Sequence, residues 1–263
     1  MDTVLVTGGT GHLGRSIVDL LIAQGNRVRV LARQPGDDPE VEWIRGDLGT
    51  GAGVAEAVRG ADAIVHAATH SPAAQRGSLR LDDLRRSPTD VDIDGTRRLL
   101  AEARQSGVRH FLHISIVGVQ QATVPYSRVK AAAENLVRDG GVPWSIVAAT
   151  PFYWLLDRML TTMSRGLFWA VPSNLVVQPG DEDDFAAYVV ECLGDHPGGR
   201  REDFGGPEAM PMVQFARQFR HARGIGRRVH GVKVPRFVIR AAGPQTCPDG
   251  RHGKTTWTEW LSR

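Results

Sequence analysis

The chain has 263 residues, 41% of them apolar and 23% charged, with a formal net charge of +3. That is long enough to bury a sizeable core without disulfide or metal staples, and the charge is too small to argue for a polyanionic partner. The two cysteines, Cys192 and Cys247, are far apart and show no metal-ligand or redox spacing, so both are read as reduced thiols. No apolar run approaches the roughly 20 residues of a membrane span, and the first strand starts just after Met1, so a cytoplasmic protein without a signal peptide is expected.

Taken in order, the chain begins with an apolar run at Val4, Leu5 and Val6 and meets glycines at Gly8, Gly11 and Gly14. Apolar residues then recur at Leu13, Ile17, Leu20 and Leu21, and a second β-branched run follows at Val28, Val30 and Leu31. This predicts strand, tight turn, helix from about His12 to before Gly25, and strand. Gly8 allows the turn, Gly11 lets backbone N–H groups approach a pyrophosphate, and Gly14 lets the helix pack closely on the strand. The helix N-terminus faces the anion, which makes Thr10, His12 and Leu13 part of the expected cradle.

The second strand ends in Arg33, where an NAD site would place an acidic residue for the ribose hydroxyls. A guanidinium there suits a 2′-phosphate, so NADP(H) is the expected cofactor, and Arg15 in the first helical turn supports it. Both arginines are otherwise solvated surface residues. Val41–Arg45 read as a third strand, followed by Gly46-Asp47-Leu48 and a helix near 52–59. Asp47 accepts from an adenine amino group or serves as an ordinary turn aspartate. The strand Ala63–Ala67 runs into the small residues Ala67, Ala68 and Thr69, leaving space where a ligand crosses the sheet. His66 and His70 are read as packing or loop histidines, and residues 70–82 as a loop beside the cofactor.

A helix over about 89–106 leads to a fifth strand, Arg109–Ile114, which ends at Ser115. A further helix carries Tyr126 and Lys130, and Trp144–Ala149 form a sixth strand. The alternation over some 150 residues predicts an α/β protein with a doubly wound parallel sheet. Tyr126 and Lys130 stand four apart, so they share a helix face. A nearby ammonium favours the phenolate and brings the phenol toward neutral pH. Tyr126 is then expected to give a proton to a carbonyl oxygen as hydride arrives, with Lys130 also holding the nicotinamide ribose and Ser115 donating to the same oxygen.

These residues carry a resemblance to the short-chain dehydrogenase/reductase superfamily, more narrowly to its extended or atypical branch with NmrA-like and quinone-reductase-like proteins. The matching stretches are Thr7-Gly8-Gly9-Thr10-Gly11-His12-Leu13-Gly14, Gly46-Asp47-Leu48, Asp92-Ile93-Asp94-Gly95-Thr96 and Ser115 with Tyr126-x-x-x-Lys130. The resemblance implies a Rossmann fold and a catalytic Ser115, Tyr126 and Lys130. The chain departs from it at Asp92, where the extended branch usually has asparagine, and in the ten residues between Ser115 and Tyr126, closer than in most extended members.

Beyond residue 150 the resemblance is one of style only. The clusters Pro151–Leu156 and Leu167–Val171 are either an apolar wall over the nicotinamide or core packing. Leu175–Gln178 read as a short strand, Asp181–Asp184 as an acidic helix N-terminus rather than a metal site, and Met212, Phe215 and Phe219 as one helix face. The basic stretch 217–240 reads as a solvated face, and Trp257–Leu261 as a docked terminal helix. The expected organisation is a NADP-binding domain over 1–150 and a smaller, interwoven α/β substrate-binding annex over 151–263. The expected protein is a monomer or homodimer that takes a small-molecule substrate, with neither nucleic acid nor membrane as partner. The leading function is an NADPH-dependent oxidoreductase of a carbonyl or quinone-like compound. The rivals are a non-catalytic NADP(H)-binding redox sensor and a sugar-nucleotide epimerase or dehydratase.

Overall fold

The computed structural model describes residues 2–71, 87–166 and 168–263, so Leu167 and most of the expected loop at 70–82 lie outside the described residues. The first half alternates β1 (Thr3–Thr7), α1 (His12–Ala23), β2 (Arg27–Ala32), β3 (Val41–Arg45), α2 (Val54–Val58) and β4 (Ala63–His66). After a single π-helical turn (Asp90–Gly95) come α3 (Thr96–Gln105), β5 (His110–Ile116), α4 (Pro125–Asp139) and β6 (Trp144–Ala149). The single helix expected over 89–106 is therefore a π turn continued by an α-helix. That difference matters below, because the wide turn carries Asp92.

The remaining elements are α5 (Tyr153–Ser164), β7 (Ala170–Pro172), β8 (Val176–Val177) and α6 (Glu182–Gly194), then β9 (Gly199–Arg200), β10 (Phe204–Gly205), β11 (Met210–Pro211) and α7 (Met212–Ala222). They end with β12 (His230–Val232), α8 (Arg236–Ala242), β13 (Arg251–His252) and α9 (Trp257–Leu261).

The main sheet runs β13-β10-β6-β5-β4-β1-β2-β3, with β9 added beside β6, and every pairing in it is parallel. Its strands are nearly continuous apolar runs because both faces are covered. One face packs α1 and α6 through Val6, Ile17, Leu21, Phe185 and Val189. The other packs α2, α3 and α4 through Leu5, Ile64, Leu99, Phe111 and Val137. Strand order reverses between β1 and β4, and ligands of open α/β sheets bind at such a switch point, outside the carboxyl ends of the strands.

The second half divides its residues between two cores. Strands β9, β10 and β13 extend the main sheet, while α5, β7, α7 and α9 enclose a separate apolar cluster centred on Tyr153, Trp169, Phe215 and Trp257. The aromatic residues of 151–171 thus divide by role. Tyr153 and Trp169 are fully buried packing residues, Trp154 stacks on His12 with ring centroids 5.0 Å apart, and Phe168 is exposed.

Candidate active site

The glycine turn does what its spacing demands. Gly8 has φ +78°, where a Cβ would also lie 2.7 Å from the Ala68 backbone nitrogen. At Gly14 a Cβ would stand 2.0 Å from the Gly8 carbonyl oxygen, so only glycine lets α1 start this close to β1. Among the described residues no side chain caps the first turn of α1 and no acidic residue sits in it, so its N–H groups are left without side-chain acceptors. Thr10, Gly11 and His12 are exposed at this turn, and Leu13 packs inward on the core.

Arg33 is exposed at the end of β2 and has no ion pair or hydrogen-bond partner among the described residues. Asp47 accepts from the Gly49 N–H at 2.8 Å, the geometry of an aspartate turn, and Leu48 is a core residue. Ala67 and Ala68 are half-buried and Thr69 exposed where the chain leaves β4.

From Thr69 a polar cluster runs to α4. Pro125 opens that helix and Tyr126 and Lys130 follow on its first turns. The Thr69 hydroxyl donates to Asp92 Oδ1 at 2.8 Å and lies 2.9 Å from the Tyr126 hydroxyl. Asp92 Oδ2 accepts the His70 N–H at 2.9 Å. Lys130 Nζ donates to the Ile114 carbonyl at 2.9 Å and stands 3.4 Å from Asp92 Oδ1, both side chains being buried. Behind them, the His66 ring bridges the hydroxyls of Thr7 at 2.7 Å and Thr96 at 2.9 Å. Burial, with the Lys130 charge adding and Asp92 opposing, pushes His66 down to about 3, so it is a neutral packing histidine.

Two features differ from the expected arrangement. First, desolvation and the Asp92 carboxylate hold the Tyr126 phenol above its ordinary value, against weaker opposition from the Thr69 and Ser71 hydroxyls. The ammonium that was to lower it is engaged by Asp92 and Ile114 instead. Second, Ser115 donates to Glu134 Oε1 at 2.6 Å, in a buried group completed by Gln120, Arg138 and Arg200. Among the described residues Ser115 makes no hydrogen bond to Tyr126. Asp92 was visible in the sequence only as a departure from the extended pattern. Its partners become evident once the π turn brings it between Thr69 and Lys130.

The acidic run at 181–184 is a helix start, with the Asp181 side chain accepting from the Asp183 N–H, and among the described residues no group of three potential ligands is arranged around a metal position. No helix among the described residues is long and apolar enough to cross a membrane.

Comparison with known proteins places the chain in a family. Residues 8–196 match the family model described as NAD(P)H-binding. The chain is 30% identical to a divinyl chlorophyllide a 8-vinyl-reductase, chloroplastic, of Oryza sativa subsp. indica over 91% of its own length, spanning 63% of that protein. It is also 30% identical to the (4-alkanoyl-5-oxo-2,5-dihydrofuran-3-yl)methyl phosphate reductase of Streptomyces griseus, over 92% of this chain and 82% of that one. In fold it resembles the UDP-glucose 4-epimerase of Thermotoga maritima, with TM-score 0.75 at 16% identity over 98% of this chain and 96% of the other. The fold and the glycine turn define a protein of the dinucleotide-binding Rossmann type. The chain belongs to the NAD(P)H-binding family.

Proposed function

We propose that this protein is an NADPH-dependent reductase of a small carbonyl or quinone-like compound, with Tyr126 as the proton donor. The observation that carries the reading is the position of Tyr126. Its hydroxyl meets Thr69 at the carboxyl end of β4, beside the switch point that the glycine turn also borders. Gly8, Gly11, Gly14 and the open first turn of α1 would hold the pyrophosphate, and Arg33 a 2′-phosphate. When bound, the cofactor supplies hydride. The protein supplies the proton from Tyr126, while Asp92 and the Ile114 carbonyl fix the Lys130 ammonium beneath the site. Two relatives that the chain covers over nine-tenths of its length are named as reductases, which supports reduction over epimerisation.

The test is a carbonyl and quinone substrate screen following NADPH absorbance. Tyr126→Phe is expected to lower kcat by about 100-fold or more, as loss of a general acid does, with NADPH affinity retained. Equal turnover in the variant overturns the assignment. NADPH binding with no turnover of any substrate favours the sensor reading.

A further inference from the structure

The direction of the hydrogen bonds in the cluster follows from counting protons. A hydroxyl has one. Thr69 spends its own on Asp92 Oδ1, so in the Thr69–Tyr126 contact the threonine oxygen accepts and the phenol donates. Tyr126 to Thr69 to Asp92 is therefore a one-way donor chain that ends on a carboxylate. That carboxylate also faces the Lys130 ammonium at 3.4 Å, and takes the His70 N–H on its other oxygen.

We infer that Asp92 is a positioning residue that sets the protonation state of the site. It cancels the Lys130 charge and terminates the Tyr126 donor chain, so Tyr126 rests as a neutral acid and the site is built to protonate its substrate. This rests on the reading of Tyr126 as the acid. At the phenol the Asp92 carboxylate opposes ionisation alongside burial, and a phenolate would put a second negative charge beside a buried carboxylate. Among the described residues, the other groups around the cluster do not reverse this. The His70 ring lies 3.2 Å from Asp90, Ser71 is a neutral hydroxyl bonded to the phenol, and burial keeps His66 and His113 from taking up protons. In the step itself, the Tyr126 O–H bond breaks as an O–H bond forms on the substrate oxygen. The phenolate left on Tyr126 takes its proton back from solvent, a water O–H bond breaking with release of hydroxide, one proton per turnover.

The experiment is an alkaline titration of tyrosinate absorbance. The chain has three tyrosines, so subtracting the Tyr126→Phe titration isolates Tyr126. In the unaltered protein Tyr126 is expected to ionise above the ordinary phenol value of about 10. Asp92→Asn keeps the shape, removes the charge and exposes the phenol to Lys130, so ionisation is expected to fall by about one pH unit or more, with the alkaline limb of kcat moving alike. Removing both charges, in Asp92→Asn with Lys130→Met, is expected to raise the midpoint above that of Asp92→Asn alone. A Tyr126 that ionises at or below the free-phenol value in the unaltered protein overturns the inference without any Asp92 variant being needed. So does an unmoved midpoint in Asp92→Asn. The shifts without NADPH-dependent turnover leave the inference standing and remove the proposed reduction. Turnover without the shifts does the reverse.

Discussion

At the scale of single residues, one cation and one carboxylate carry the sharpest expectations. Arg33 is exposed and unpaired among the described residues, so nothing in the fold requires it. Arg33→Ala is expected to weaken NADPH binding by about 1.5–3 kcal/mol, or roughly 10- to 150-fold, while leaving NADH binding within twofold. Equal losses for both cofactors would take Arg33 out of the phosphate site. Glu134 is the opposite case, a fully buried carboxylate served by Ser115, Gln120, Arg138 and Arg200. Burial disfavours its charge, but Ser115, Gln120 and the Arg200 guanidinium outweigh burial and hold its carboxyl below the usual range. A carboxyl depressed in the folded state stabilises above its unfolded value, and that contribution disappears as pH falls through the folded value. Both arginines reach water, so Glu134→Gln is expected to cost about 1.5–3 kcal/mol at neutral pH, and much less in acid. Urea unfolding at the two pH values measures the difference.

At the scale of elements, periodicity and caps made most of the chain legible. The six strands and intervening helices of residues 1–150 were read from apolar spacing, and their positions agree because each β-branched run is bounded by glycine or a polar turn. The terminal helix α9 shows how local such signals are. The Thr256 side chain accepts from the Glu259 N–H while the Glu259 carboxylate accepts from the Thr256 N–H, a closed capping box. Thr256→Ala is expected to cost about 1 kcal/mol, because the Glu259 N–H loses its ordered partner. Calorimetry should show a fall of about 2–4 °C in Tm, and an unchanged Tm would mean that α9 is held by Trp257 and Leu261 alone. The π turn was not legible. Its sequence, Asp-Val-Asp-Ile-Asp-Gly, has no helical stripe that separates it from the helix after it, and the extra residue is accommodated by tertiary packing. Ser115 was placed by its position at a strand end, which says nothing about Glu134 reaching it from the next helix.

At the scale of the whole molecule, the parallel sheet buries three histidines on β4 and β5. Burial is the leading reason that His66, His113 and His110 resist protonation, with Lys130 adding at the first two. Groups whose folded value lies below the unfolded one bind protons more readily in the unfolded chain. Stability is therefore full above the unfolded histidine value of about 6.5 and falls as pH drops below it, continuing toward the value of about 3 held by His66. The slope is up to about 1.4 kcal/mol per pH unit for each group. The urea midpoint is expected to fall steeply between about pH 7 and pH 5, well before carboxylates protonate. Both ring nitrogens of His113 lack a partner among the described residues, so His113→Phe is expected to flatten that dependence and to stabilise the protein at pH 5. A midpoint constant over this range would mean that the imidazoles find water or protons in the folded state.

The glycine turn, the strand alternation, the Tyr126–Lys130 spacing and the arginine at the end of β2 are local patterns, and for that reason the sequence by itself determined the fold class and the expectation of a dinucleotide. Electrostatics at the site is not local. It depends on which charge faces which across elements 20 to 60 residues apart, as with Thr69, Asp92 and Lys130. Only the tertiary structure decided that the lysine under Tyr126 is matched by a buried aspartate and that Ser115 answers to Glu134, because a charge acts through the distance and dielectric that packing creates.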